Sequence, residues 1–253
     1  MNKQTQTIIP YGGDTPSGVA TLNNLGVRNF EAKNYQAAAD LFRDALEWMI
    51  SPVRENGRKY QSRSLVEQAT SFSSNPFTPI LKAKKPSDDC VNDSQHFLCF
   101  SQALEVTEGA YSSDQMVNEV FLSAIIIWNM GLVYHCTSHD REDRLRRAST
   151  LYLKSWSLVE AFVSRGSSGN LMVDFFTQAL LNNLGSCFQQ LDHVQDARMW
   201  SDHLICYAQS IAASFPDEPL DAVSERLQEQ TNNFVLNAIM RLQCRPSFLA
   251  PAA

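Results

Sequence analysis

Three asparagines stand in the same short context at distant points of the chain, and their side chains are suited to binding peptide main chain. Asn24 and Asn183 each precede Leu-Gly, and Asn129 precedes Met-Gly. A carboxamide carries one acceptor oxygen and two N–H donors, so one asparagine can pair with both the N–H and the C=O of an extended peptide. If the three contexts lie side by side, the sequence predicts a row of main-chain-binding amides. The alternative is that these amides satisfy neighbouring helix groups or water.

Signatures of catalysis are absent from the sequence. It has no P-loop, no GxGxxG, no GxSxG and no HExxH. Asp192, His193 and His203 are residue types of a catalytic triad, but no oxyanion loop accompanies them. His135 and His139 are four residues apart and lack the further donors that a metal site requires. The sequence therefore predicts a protein that is not an enzyme and that uses no cofactor or metal.

The elements that must position the asparagines are pairs of antiparallel helices. Each apolar helical pattern contains a glycine that is followed by an alanine at a similar spacing: Gly26 with Ala38, Gly131 with Ala148, and Gly185 with Ala197. Small residues are needed where two helix backbones approach closely, while a large neighbour fills the space above them. The spacing therefore predicts three helix pairs, the second with an insertion between its helices.

This pattern resembles the tetratricopeptide repeat, in which a Leu-Gly, an aromatic residue, an alanine, a second aromatic residue and a second alanine recur. The matching residues are Leu25, Gly26, Tyr35, Ala38, Phe42 and Ala45 in the first pair, Gly131, Tyr134, Ala148 and Tyr152 in the second, and Gly185, Phe188 and Ala197 in the third. The chain departs from the repeat at Asn29, Ser201 and Leu204. The resemblance implies an all-α fold, a right-handed superhelix of three helix pairs. The layout also resembles a large set of tetratricopeptide-like proteins of diatom type, which adds no function.

The resemblance implies boundaries for the parts of the chain. We expect a disordered tail over 1–19, one helical domain over 20–243 and a short tail over 244–253. Within the domain, the expected parts are repeat one at about 20–49, an arm at 51–111, repeat two at about 118–162, repeat three at about 171–213, and a capping helix at 217–243. A terminal helix of this kind covers an apolar face that the last repeat would otherwise expose.

The arm at 51–111 interrupts the repeats. It is rich in Ser, Pro, Asn and Lys, and it contains two short apolar runs, 77–81 and 97–100. Such runs favour a short β-hairpin or an extended strip lying on the helices. If the runs lie in the groove between the repeats, the arm closes that groove.

The resemblance places the residues around each asparagine in a concave groove. Helical spacing of three and four then gives the candidate peptide-binding residues: Asn24, Val27, Phe30, Trp128, Asn129, Leu132, His135, Asn182, Asn183 and Gln189. Trp128 and His135 are either partner anchors or internal packing residues. The basic residues of the family's carboxylate clamp are missing, because the corresponding positions hold Asn23, Val27, Ala179 and Asn183. A chaperone C-terminal tail is therefore disfavoured as a partner.

Composition restricts the class of protein further. The 253 residues carry 21 Lys and Arg against 27 Asp and Glu, a net charge of −6, which argues against a nucleic-acid-binding surface. The most apolar stretch, 117–136, contains Asn118, Glu119 and His135 and so indicates a buried helix rather than a membrane span. Six scattered cysteines, without a CxxC pair or a secretory signal, indicate free thiols and a cytoplasmic or nuclear location.

These features predict a non-catalytic adaptor or scaffold that binds a protein or peptide segment in a concave helical groove. The alternative is a groove occupied by the chain's own 51–111 arm, which would make the protein a regulatory or self-assembling module.

Overall fold

The computed structural model describes residues 15–50, 99–106, 115–138, 141–163, 171–213 and 222–243. These ranges contain seven helices and no strand: α1 Thr15–Glu31, α2 Tyr35–Ile50, α3 Gln115–Cys136, α4 Glu142–Val163, α5 Leu171–Gln190, α6 Val194–Ala212 and α7 Ala222–Gln243. The prediction of an all-α fold is confirmed. Of the runs expected to form a hairpin, 77–81 and residues 97–98 lie outside the described residues, and Cys99 and Phe100 belong to neither helix nor strand.

The first helix begins earlier than the sequence analysis expects. The sequence predicts a tail over 1–19, but Thr15 to Val19 belong to α1, so the helix begins five residues before the expected boundary. Pro16 suits the first turn of a helix, where its missing N–H has no intrahelical acceptor to lose. Gly18 lies against the second helix, since a Cβ atom there would be 3.3 Å from the ring of Trp48. This contact on α2 extends the first helix pair towards the N-terminus.

Each helix packs against the next one along the chain, and α1 also contacts α3 while α5 contacts α7. Glycine sets the approach within the first two pairs. A Cβ atom added at Gly26 would lie 2.6 Å from the ring of Phe42 on α2, and one at Gly131 would lie 2.9 Å from the ring of Tyr152 on α4. Both rings are fully buried. The large residue that the spacing predicts beside each glycine therefore lies directly over it.

The third pair is completed by a residue from outside the pair. Ser201 stands on α6 where the other two pairs carry an aromatic ring. The space beside Gly185 is taken instead by Arg241 of α7, whose Nε would lie 2.9 Å from a Cβ atom on that glycine. The same Nε donates a hydrogen bond to Ser201 Oγ at 3.0 Å. The last helix is thus joined to the third pair through a buried guanidinium.

The turns between the two helices of the first pair and between those of the third pair have the same backbone conformation. Lys33 has φ 61° and Asp192 has φ 59°, in the left-handed region that side chains rarely adopt. In both turns, three successive N–H groups donate to carbonyls four, three and five residues earlier, which is the hydrogen bonding of a Schellman motif. Equivalent turns therefore join the two helices of the first pair and the two helices of the third pair.

Helix α3 packs against α1, α2 and α4. Its stretch Glu119–Cys136 is long and apolar enough to cross a membrane by length and composition alone, but 61% of it is buried inside the structure. Ile125, Trp128 and Leu132 are fully buried. Contact with the neighbouring helices therefore accounts for the apolar character of α3.

Candidate functional site

Residues 99–106 form a non-helical segment, and its main chain is bound by side chains from three helices. Asn183 of α5 accepts a hydrogen bond from the N–H of Phe100 at 2.8 Å and donates one to the C=O of the same residue at 3.0 Å. The pairing recurs twice at distances of 2.8 and 2.9 Å: Asn129 of α3 with Leu104, and Asn24 of α1 with Val106. We call Asn24, Asn129 and Asn183 the asparagine ladder.

Each ladder asparagine gives one segment residue both of the hydrogen bonds that a neighbouring β-strand would give it. Asn23 strengthens the middle position, because it donates to the C=O of Leu104 at 3.0 Å and accepts from Asn129 at 2.9 Å. These four asparagines are at most 2% exposed. Such burial is affordable only because their polar atoms are paired. The asparagines predicted from the sequence therefore lie along one extended main chain, and that main chain is the protein's own.

The apolar side chains of the segment are buried in the same core as the helices. Phe100 lies between three aromatic rings, with centroid distances of 5.9, 5.5 and 5.4 Å to Trp128, Phe175 and Phe234. The last two contacts are edge-to-face, which favours aromatic pairing beyond the area buried. Further along, Ala103, Leu104 and Val106 are also buried, as 9% exposure or less shows. The segment runs from the third helix pair back to the first, and it is held by both main-chain and side-chain contacts.

Several residues predicted to line an open groove are core residues instead. Val27, Trp128 and Leu132 are fully buried, and Phe30 packs edge-to-face on Tyr35 at 5.4 Å. All four candidates belong to the same apolar cluster as the side chains of Phe100 and Leu104. They are therefore not open lining, because the segment and the neighbouring helices already cover them.

His135 lies near the N-terminal end of the segment and is 2% exposed. Its Nδ1 is 3.4 Å from Cys99 Sγ and 3.3 Å from the hydroxyl of Tyr152, and its Nε2 is 3.0 Å from the side-chain nitrogen of Gln190. An amide nitrogen can only donate, so Nε2 accepts this hydrogen bond. His135 is thus a buried, hydrogen-bonded residue that joins the segment to α4 and α5.

The Cys99–His135 pair does not have the electrostatics of a catalytic nucleophile. Burial raises the pKa of the Cys99 thiol well above its ordinary value, and the nearby Cys136 and Cys187 add to that effect. A nucleophilic cysteine needs the opposite shift, towards the thiolate. Within the described ranges, no group of three or more His, Cys, Asp or Glu side chains is arranged to hold a metal ion. His139 lies outside those ranges.

The remaining predicted site residues lie at the third pair. Gln189 is half-buried, and its Oε1 has no hydrogen-bond partner among the described residues. Asn182 is buried and accepts hydrogen bonds from both terminal nitrogens of Arg241 at 3.2 Å. Arg241 is not among the residues that the sequence predicts for the site. Its signal is the α7 pattern itself, because it continues the buried positions Phe234 and Ala238 at helical spacing, where an apolar residue is expected.

Comparison with protein-family models, with curated proteins and with solved structures gives no match to this chain.

Proposed function

We propose that this protein is a non-catalytic interaction module of the tetratricopeptide type, whose groove binds extended peptide main chain and is closed by residues 99–106. A partner peptide opens the groove by displacing that segment. The observation that carries the proposal is the asparagine ladder, in which each amide takes both main-chain groups of one residue. Main-chain recognition of this kind accepts any extended peptide whose side chains fit.

The packing supports the repeat assignment. Consecutive helices contact one another in order, and equivalent turns at Lys33 and Asp192 join the two helices of the first and third pairs. The ladder asparagines come from the first helix of each pair, on α1, α3 and α5. Equivalent positions on stacked pairs are where a superhelix repeats its binding groups along one surface.

The occupied ladder favours the self-closed module over an adaptor with an open groove. The tethered segment competes for the groove at an effective concentration of about millimolar, so a free peptide must displace it in order to bind. Its apparent affinity falls by the fraction of molecules in which the groove is open. The protein therefore responds to partners that compete well with its own segment, and it stays closed to weak ones.

The partner we propose is a protein segment, not a nucleic acid, a membrane or a chaperone C-terminal tail. The net charge of −6 disfavours nucleic acid. The positions that correspond to the family's carboxylate clamp hold Asn23, Val27, Ala179 and Asn183, so they supply no cation for a terminal carboxylate. Cys99, Cys136, Cys187 and Cys206 are free thiols, in keeping with a cytoplasmic or nuclear protein.

Competition by a synthetic copy of the segment tests this function. A fluorescent peptide spanning residues 98–107 is titrated against the wild-type full chain and against Phe100→Leu. The variant weakens the internal competitor, because it removes three aromatic contacts each worth about 0.5–1.5 kcal/mol. We expect the peptide to bind Phe100→Leu at least about tenfold more tightly than wild type.

A control variant makes the result specific. Adding Leu236→Ala to Phe100→Leu should leave peptide binding unchanged, because that side chain on α7 is 50% exposed. Circular dichroism confirms that each variant is folded. Equal binding to wild type and Phe100→Leu, or no binding to either, would contradict the proposed function.

A further inference from the structure

Arg241 is a buried cation whose hydrogen-bond partners among the described residues are all neutral. The residue is 3% exposed. Its Nε donates to Ser201 Oγ at 3.0 Å, and its two terminal nitrogens donate to Asn182 Oδ1 at 3.2 Å each. No carboxylate in the described part of the chain forms an ion pair with it. A guanidinium has five N–H donors, so these three contacts leave two of them without an acceptor among the residues that the structure describes.

Burying a charge without an opposite charge beside it costs free energy, because the charge loses its hydration. Burial accordingly lowers the pKa of Arg241 to about 10, although the electrostatic effect of Cys99 acts in the other direction. The side chain is still protonated at neutral pH. Beside Asn182 there is therefore a buried positive charge that no acidic side chain among the described residues neutralises.

This charge lies next to the asparagine ladder. Arg241 donates to Asn182, Asn182 donates to the Oδ1 of Asn183 at 3.4 Å, and that same oxygen accepts the N–H of Phe100. Two side-chain amides thus connect the guanidinium to the main chain of the segment. The residue that precedes Phe100 is Cys99. Burial raises the pKa of its thiol and keeps it protonated, and Arg241 opposes that rise only in part.

We infer that this end of the groove is a carboxylate-binding position, and that the displacing partner carries an acidic side chain in the place of Cys99. The inference rests on the proposed function. The partner is then an extended peptide with an acidic residue immediately before its aromatic anchor, followed by small or aliphatic residues at the positions of Ala103, Leu104 and Val106. The segment's own thiol cannot form the ion pair, so the carboxylate gives a free peptide an advantage over the tethered competitor.

Peptide binding tests the partner's chemistry. Two versions of the 98–107 peptide, with Cys99→Asp or Cys99→Asn, are titrated against the full-length Phe100→Leu protein. We expect the aspartate peptide to bind at least about tenfold more tightly, in line with measured couplings of close charge pairs. This preference should vanish when Arg241→Met is added. Equal binding of the two peptides, or a preference that survives Arg241→Met, would overturn the inference.

A second comparison separates this inference from the proposed function. In the full chain, Cys99→Asp should melt about 3 °C or more above Cys99→Asn, the shift that a tenfold change in the folding equilibrium gives at this size. If neither peptide binds but the aspartate chain melts higher, the proposed function is wrong and the carboxylate position stands. If the peptides bind alike and the two chains melt alike, the carboxylate position is wrong and the proposed function stands. The melting comparison needs no Arg241 variant, so it decides the matter even if Arg241→Met does not fold.

Discussion

Replacing Asn129 with alanine tests whether the ladder holds the segment in place. Asn129 is fully buried and makes three hydrogen bonds: it accepts from the N–H of Leu104 and donates to the C=O of Leu104 and to Asn23. Asn129→Ala leaves the Leu104 N–H and the Asn23 oxygen without these partners, whereas the Leu104 C=O keeps its bond from Asn23. Two orphaned polar groups at about 1–3 kcal/mol each, with some relaxation, predict a loss of about 2–4 kcal/mol.

The assay is urea denaturation of the full chain, followed by circular dichroism, with hydrogen exchange of the Leu104 amide as a local readout. Asn233→Ala is the matched control, because Asn233 is exposed on α7, and it should change the free energy of unfolding by less than about 0.5 kcal/mol. A change for Asn129→Ala as small as that of the control, with unaltered exchange at Leu104, would refute the reasoning that the buried amide binds the segment.

Three further predictions concern packing, backbone strain and pH. Gly26→Ala should lower the free energy of unfolding by about 1–3 kcal/mol, because its Cβ would lie 2.6 Å from the buried Phe42 ring. Gly18→Ala is the control and should cost much less, because its Cβ would lie 3.3 Å from the Trp48 ring. Equal losses in urea denaturation would contradict the packing argument. Lys33→Gly should raise the melting temperature by relieving a left-handed φ worth about 1–2 kcal/mol, and a lowered Tm would show that this turn is not strained. Burial raises the pKa of Cys187 from 9.0 to about 12, so its contribution to stability is complete below about pH 9 and is lost as pH rises towards 12. The free energy of unfolding should fall between pH 8 and 10.5 by less in Cys187→Ala than in wild type, although the lowered pKa of Arg241 acts in the opposite direction; identical pH profiles would refute the assignment.

The local features of the fold were predictable because their causes are local. The spacing of Gly26 and Gly131 from a large residue indicates helix pairs, and both glycines do lie against the predicted rings. The asparagines were found for the same reason, since a repeated context marks equivalent positions on repeated helices. An all-α fold follows from these patterns without any long-range information.

The segment that the ladder binds was harder to predict from the sequence. Phe100 and Asn183 are 83 residues apart, and no local pattern encodes a contact of that range. The buried segment residues Phe100, Ala103, Leu104 and Val106 do not follow the strict alternation of a strand, because side-chain amides replace the neighbouring strand. The apolar run at 97–100 was nevertheless a correct hint that part of the arm lies against the helices.

Arg241 was missed for a different reason. A basic residue in the last turn of a helix is usually explained by the helix dipole, which favours a cation there. Its burial depends on Ser201 of α6, where the third pair lacks the ring of the first two. The space left by the missing ring is filled by the guanidinium only when α5, α6 and α7 pack together.

Native-state hydrogen exchange of residues 99–106 tests the central claim most directly. The amides of Phe100, Leu104 and Val106 each donate to a ladder asparagine. We expect these three amides to be protected and to exchange together through an opening that costs less free energy than global unfolding, and we expect Phe100→Leu to accelerate exchange at all three. Exchange at unprotected rates would contradict binding of the segment by the ladder. Exchange only through global unfolding would contradict its displacement by a partner.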